Sequence, residues 1–202
     1  MKHLGGIDSF PWAFEGRVPW SNPGYLARLA VVAMVWVLSG VSILRAQAPP
    51  TEYEVKTAYL YQFGKFVEWP EEMLVRAGDV FSICTLGLDP FGSLLDQTIA
   101  ERSVQGKKVV AKRLASVNDA LNCNILFISS SEQSRLEEIL KVLQGKSILT
   151  VGDMRDFIRQ GGMINFQIVQ NKVRFEINLP AVERANLKVS SQLLKVAELT
   201  KE

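Results

Sequence analysis

Few side chains in this sequence could do chemistry. Its 202 residues include two cysteines and one histidine, His3. His3 falls within residues 1–48, which have the pattern of a removable leader, so the rest of the chain carries no imidazole. That excludes Ser-His-Asp and Cys-His nucleophilic catalysis and removes the commonest metal ligand. A zinc site would have only two thiols and carboxylates to draw on. No catalytic residue, metal ligand set or cofactor is therefore expected, and an enzyme would have to work with carboxylates or lysine. Cys84 and Cys123 are an even pair in a chain bound for an oxidising compartment, which favours a disulfide. Closing a loop of about 40 residues is worth ~3–4 kcal/mol in the chain-entropy model. Two unpaired buried thiols are the alternative.

The carboxylates with informative positions are Asp89 and Asp153. Both fall near the C-terminal ends of predicted strands, where doubly wound sheets bind ligands. Gly87 and Gly92 follow the first of those strands. Their spacing is not GxGxxG and no GK[ST] follows, so a plain strand-to-helix turn is the better reading than a phosphate cradle. Receiver-like phosphorylation would need an Asp after the third strand, and Ser129, Ser130 and Ser131 stand there instead. Arg174 and Glu176 lie on the polar face of a predicted strand. They are a solvated pair by default and a contact site by hypothesis.

The leader explains the compartment. Residues 29–44 (LAVVAMVWVLSGVSIL) are uncharged and mostly apolar, with Arg28 before them and Ala46-Gln47-Ala48 after. A charged flank, an apolar core and a small-x-small site make a secretory signal peptide, with cleavage expected between Ala48 and Pro49. An uncleaved anchor is the alternative, but it normally needs ~20 apolar residues. The leader has a long n-region and holds four of the 23 basic residues and two of the 21 acidic ones, which leaves 19 of each. A mature domain without net charge or a basic segment is not built for nucleic acid. Residues 49–202 suit a single domain with a sizeable core.

The elements that must position these residues follow from periodicity. Residues 53–70 (YEVKTAYLYQFGKFVEWP) place Val55, Ala58, Tyr59, Phe63, Phe66 and Val67 on one helical stripe, with Lys56, Thr57 and Tyr61 elsewhere around the wheel. Pro70 ends that helix and pushes Trp69 out of the α region. Strands are expected over 80–86, 107–114, 124–129 and 147–151. Helices are expected over 90–100 with Asp89 as N-cap, 116–121, 132–144 with Ser131 as cap, and 153–159. This βαβαβαβ order with continuous apolar strands predicts an α/β fold: a mostly parallel sheet flanked by helices in a Rossmann-like three-layer arrangement. Residues 163–169 and 172–179 alternate and meet at Gln170-Asn171, which predicts an antiparallel hairpin, with Gly161-Gly162 as the turn into it. A closing helix is expected over 190–199.

Several blocks carry a resemblance. The Phe66-Val-Glu-Trp-Pro70 ending of the first helix is similar to the start of the periplasmic YfiR-like family. Residues 123–129 (CNILFIS), 148–153 (ILTVGD), 161–164 (GGMI), 173–178 (VRFEIN) and 187–194 (LKVSSQLL) also resemble it, in order, across the mature chain. The resemblance implies a non-enzymatic periplasmic α/β protein. In its best-known member it implies a homodimer that binds the periplasmic sensor region of an inner-membrane diguanylate cyclase and holds it inactive, limiting cyclic di-GMP and biofilm formation. An OmpA-like outer-membrane lipoprotein can relieve that repression by sequestering the repressor. Cys84 and Cys123 match a disulfide pair of the family, and a second pair found in the characterised repressor is missing from this chain.

A periplasmic regulatory binding protein that works by contact with a membrane sensor is therefore the leading expectation. A periplasmic small-ligand binding domain using the loops at Asp89 and Asp153 is the alternative, followed by a His-free carboxylate enzyme. The expected contact surface is the polar face of the hairpin, Arg174 and Glu176. Trp69 at the end of the first helix comes second, as an aromatic that is often a hot spot when exposed.

Overall fold

Thr51 starts the folded chain with a reciprocal cap. Its hydroxyl accepts the Glu54 N–H at 3.3 Å, and the Glu54 carboxylate accepts the Thr51 N–H at 2.6 Å. Two otherwise orphaned donors of the helix that follows are thereby satisfied. The computed structural model describes residues 49–76 and 78–199, and Pro49–Glu202 is one compact unit. The leader and the first residue of the expected cleavage bond, Ala48, lie outside the described residues.

Helix α1 (Glu52–Phe66) leads into a two-residue strand, β1 (Val67–Glu68), and a short helix, α2 (Glu71–Arg76). Strand β2 (Val80–Leu86) and helix α3 (Ser93–Ile99) follow, then β3 (Ser103–Val104) and β4 (Lys107–Leu114). A 3-10 turn over Val117–Asn122 precedes β5 (Ile125–Ile128), and a second over Ser130–Arg135 runs into α4 (Leu136–Leu143). The chain ends with β6 (Leu149–Gly152), the hairpin β7 (Ile164–Val169) and β8 (Lys172–Ile177), α5 (Leu179–Arg184), β9 (Lys188–Val189), α6 (Ser191–Leu194) and β10 (Glu198–Leu199). One eight-stranded sheet has the order β10-β8-β7-β6-β5-β2-β4-β3, and β1 pairs separately with β9.

The five central strands, β4-β2-β5-β6-β7, run parallel, and β8 returns antiparallel to β7. The crossover from β2 to β4 moves one way along the sheet and that from β5 to β6 the other. Right-handed connections therefore put α3 and α4 on opposite faces. The mostly parallel α/β fold expected from the sequence is the one adopted. The hairpin is closed by Gln170 and Asn171 at φ 50° and 57°, the two left-handed residues of a tight turn whose twist matches the strands.

α1 lies across the α3 face. Tyr59 and Phe63 stand within about 6 Å of Phe166 and Phe175, ring to ring. Gly64 lets the helix approach the Phe81 ring, which a Cβ there would meet at 3.1 Å. The buried side of α1 is not the expected stripe. Lys56, Thr57, Leu60, Tyr61, Phe63 and Gly64 are buried, and Ala58 is exposed. The helix touches both the sheet and α3, where Thr98 donates to the Thr57 hydroxyl at 3.2 Å, so its buried arc is wide and rotated from the expected stripe, and Glu54, Ala58 and Lys65 share the exposed side.

Other boundaries moved for local reasons. Asp89 does not cap α3; it accepts the Phe91 N–H at 2.9 Å in an Asx turn, and Gly92 takes the cap position. Ser129, not Ser131, caps the second 3-10 turn. Residues 153–159 form successive turns instead of a helix, and the expected closing helix is only α6, followed by β10 beside β8.

Candidate functional site

The strand ends define two acidic positions, and the fold treats them differently. At the end of β6, Asp153 accepts a hydrogen bond from Lys56 Nζ at 2.8 Å, across 97 residues of sequence. The same ammonium lies 2.6 Å from the Glu52 carboxylate, one helical turn earlier on α1, and 4.8 Å from the centre of the Tyr53 ring. The Lys56 side chain is 4% exposed and that of Asp153 10%. Burial opposes the lysine charge, but the hydrogen bonds it donates to Asp153 and Glu52 outweigh that and hold the ammonium above the ordinary lysine range. A lysine held protonated in this way is not activated as a nucleophile, which needs a lowered value. Lys56 is not among the functional residues expected from the sequence. Its i,i+4 pairing with Glu52 was legible, but its burial and its third partner were not.

Beside this pair is a cleft of about 560 Å³, bounded by Glu52, Asp153, the turns after it, and the start of the hairpin. Asn165 in β7 holds the turn in place by accepting the Met154 N–H at 3.2 Å and donating to Glu176 at 3.2 Å. Glu176 is half-buried in this arrangement and Arg174 is exposed, on the hairpin face away from α1. The structure thus brings Glu176 to the Asp153 end of the sheet.

At the end of β2, Asp89 accepts from Arg113 Nε at 2.8 Å. Arg113 also forks onto Asp96 at 2.7 and 3.0 Å and donates to the Gly92 carbonyl at 2.6 Å. That fork holds the Asp96 carboxyl below its usual range, against slight desolvation, and keeps Arg113 firmly charged. The crevice between β2 and β5, where the strand order reverses, is the usual ligand position of such sheets. Here the Leu88 N–H donates to Ser131 Oγ at 3.0 Å, and Ser131 and Glu132 pack against Gly87 at φ 88°. The crevice is filled by the protein itself.

Cys84 in β2 and Cys123, just before β5, form a disulfide with Cα atoms 6.1 Å apart, as expected. Trp69 departs from expectation. It is only 6% exposed, stands edge-on to Phe81 at 5.0 Å, and donates its indole N–H to the Asn124 carbonyl at 3.3 Å. α1 ends three residues earlier than predicted, and the β1–β9 pairing carries the chain beneath the sheet end, so Trp69 is a core residue and offers no surface. Pro49 is exposed at the start of the described chain. Among the described residues no group of three or more His, Cys, Asp or Glu side chains could hold a metal ion.

Among solved structures, the chain is similar to a conserved domain protein from Vibrio cholerae, with 14% identity and a TM-score of 0.44. The match covers 64% of this chain and 58% of that one, so the chain spans less than two thirds of that protein. A family model described as YfiR/HmsC-like matches residues 53–198, from the first turn of α1 to the start of β10. On that match, the chain belongs to the YfiR/HmsC-like family.

Proposed function

We propose that this protein is a periplasmic regulator that restrains an inner-membrane diguanylate cyclase, or another membrane sensor, by binding its periplasmic sensor region. The observation that carries the reading is the family match over nearly the whole domain. Membership supports a regulatory role in the cyclic di-GMP pathway and a periplasmic location. The Cys84–Cys123 bond fits an oxidising compartment. Among the described residues no helix is long and apolar enough to cross a membrane. Limiting biofilm formation, release by an OmpA-like lipoprotein and a homodimeric state belong to the same proposal.

A non-enzymatic, contact-based role agrees with the chemistry of both strand ends. Lys56 is locked as a cation, Asp89 is engaged by Arg113, and the usual ligand crevice is closed. The alternative of a small ligand at Asp89 and Asp153 has correspondingly less support. Contact through the open face of the hairpin, at Arg174 and Glu176, is the surface proposed for the sensor.

The test is the cyclic di-GMP content of cells with and without the protein, together with recovery of the sensor on the full chain from detergent-solubilised membranes. Loss of the protein is expected to raise cyclic di-GMP. Arg174→Glu and Glu176→Arg, each first shown to unfold at the native temperature, are expected to weaken sensor recovery. An unchanged cyclic di-GMP level would overturn the reading.

A further inference from the structure

The hairpin outgrows its neighbours. The Asn178 N–H donates to the Met163 carbonyl, so along β7 the odd-numbered residues bond to β8 while Phe166 and Ile168 turn their N–H and C=O groups to the opposite edge. On that side β6 stops early, and its last pair with β7 is Gly152 with Asn165. Beyond it the chain leaves the sheet in the turns after Asp153, and the cleft of about 560 Å³ opens along the edge of β7. Ile168 is 51% exposed there. The Phe166 N–H is used by the Gly152–Asn165 bridge, so the Ile168 N–H and C=O are the groups left facing the open side. A strand edge with such unpaired backbone groups beside an exposed apolar side chain is a template for another strand.

We propose that this edge of β7 is a docking site for an extended basic segment of a partner protein, which adds to the sheet as a further strand. The inference rests on the reading of the protein as a regulator that acts by protein contact. The charge of the cleft selects the occupant. Glu52, Asp153, Asp156 and Glu176 line it against Lys56 and Arg155; Lys56 engages Glu52 and Asp153, and Asn165 holds Glu176, yet the lining keeps an excess of carboxylates over cations. Asp156 also pairs with Arg159 at 3.0 Å, but both side chains are more than half exposed, and a partner's cation can replace so weak a contact. The free stretch, residues 167–169, offers about 10 Å of edge at the usual strand rise. Main-chain hydrogen bonds would give the segment its register, and alternate side chains its specificity. Apolar residues would lie over Ile168 and basic ones toward the carboxylates.

The probe is a labelled, end-blocked hexapeptide of alternating Lys and Val, titrated into the full chain by fluorescence anisotropy. It is expected to bind at least tenfold more tightly than the Glu-Val counterpart and than a Lys-Val peptide with every amide N-methylated. Ile168→Pro removes one N–H from the open edge, leaves the β8 ladder intact, and is expected to weaken binding at least tenfold. If that variant does not fold, Ile168→Lys, which adds a cation at the same edge, is expected to do the same. Equal binding of the plain and methylated peptides, or no binding of either, overturns the proposal. So does a dimer of the full chain that dissociates on Ile168→Lys without peptide binding, which would assign the edge to a second copy. Sensor recovery undiminished by Ile168→Lys rejects this edge and leaves the regulatory reading standing. A cyclic di-GMP level indifferent to the protein rejects that reading, while the peptide titration still decides the edge.

Discussion

Asp89 and Asp153 stand at the C-terminal ends of two parallel strands in one sheet, and each accepts a cation from another element at 2.8 Å. Distance does not separate them; surroundings do. The Arg113 side chain is 37% exposed, whereas that of Lys56 is 4% exposed. In water-rich surroundings an ion pair gains ~0–1 kcal/mol. Losing one partner of a buried pair strands the other and costs ~3–5 kcal/mol. The β2–β5 half is also cross-linked by Cys84–Cys123. The β6–β7 half relies on Lys56, which ties α1 to the turn beside the open hairpin edge. One end of the sheet is closed and covalently held, and the other is held by charge next to the surface proposed for a partner.

The strongest way to break this comparison is Lys56→Met. It leaves the Asp153 carboxylate buried without its cation and is expected to lower unfolding stability by ~3–5 kcal/mol in urea titrations. Adding Asp153→Asn is expected to recover part of that loss. A cost below about 1 kcal/mol would place Lys56 on a par with Arg113 and dissolve the distinction.

Removing the cross-link, with Cys84→Ala and Cys123→Ala together, should cost ~2–5 kcal/mol. Labelling of the denatured, unreduced wild-type protein is expected to find no reactive thiol. Two labelled thiols per chain would show that the β2–β5 half is not held covalently in the exported protein.

A smaller effect appears with pH. The folded Lys56 holds its proton above the ordinary value of 10.5. The stability it contributes is thus complete below about pH 10.5 and declines as pH rises through the higher folded value. Wild type minus Lys56→Met, compared at pH 9 and pH 11.5, is expected to shrink. A difference that grows with pH would mean the lysine is held neutral.

The smallest change is expected from Arg113→Ala, at most about 1 kcal/mol. Asp96 titrates below its ordinary 3.8, so that contribution is present above this pH and is lost as pH falls through the lower folded value.

Much of the frame was legible in the sequence. Residues 80–86 and 107–114 are strands with the predicted ends, because a short apolar or β-branched run between turn residues has few other solutions. The alternation of residues 163–169 and 172–179 on either side of Gln170-Asn171 announced the hairpin, and Asn171 is of a type that tolerates positive φ. The short pieces were not legible: β1, β3, β9 and β10 are two-residue strands, and only a partner strand makes such fragments extended. The expected helix over 153–159 failed because Asn165 and Thr150 bind the backbone at Met154 and Met163 and hold the intervening chain in turns.

The candidate site divides in the same way. The sequence by itself determined the parallel α/β order, the hairpin, the even cysteine count and the confinement of histidine to the leader, because periodicity, turn chemistry and composition are local or countable properties. Only the tertiary structure decided that Lys56 is buried, that Trp69 belongs to the core, that the crevice beside Asp89 is filled and that the edge of β7 is open. Each of these depends on which distant groups come to share a low-dielectric space or a strand edge. Lys56 meets Asp153 across 97 residues, and no window along the chain contains both.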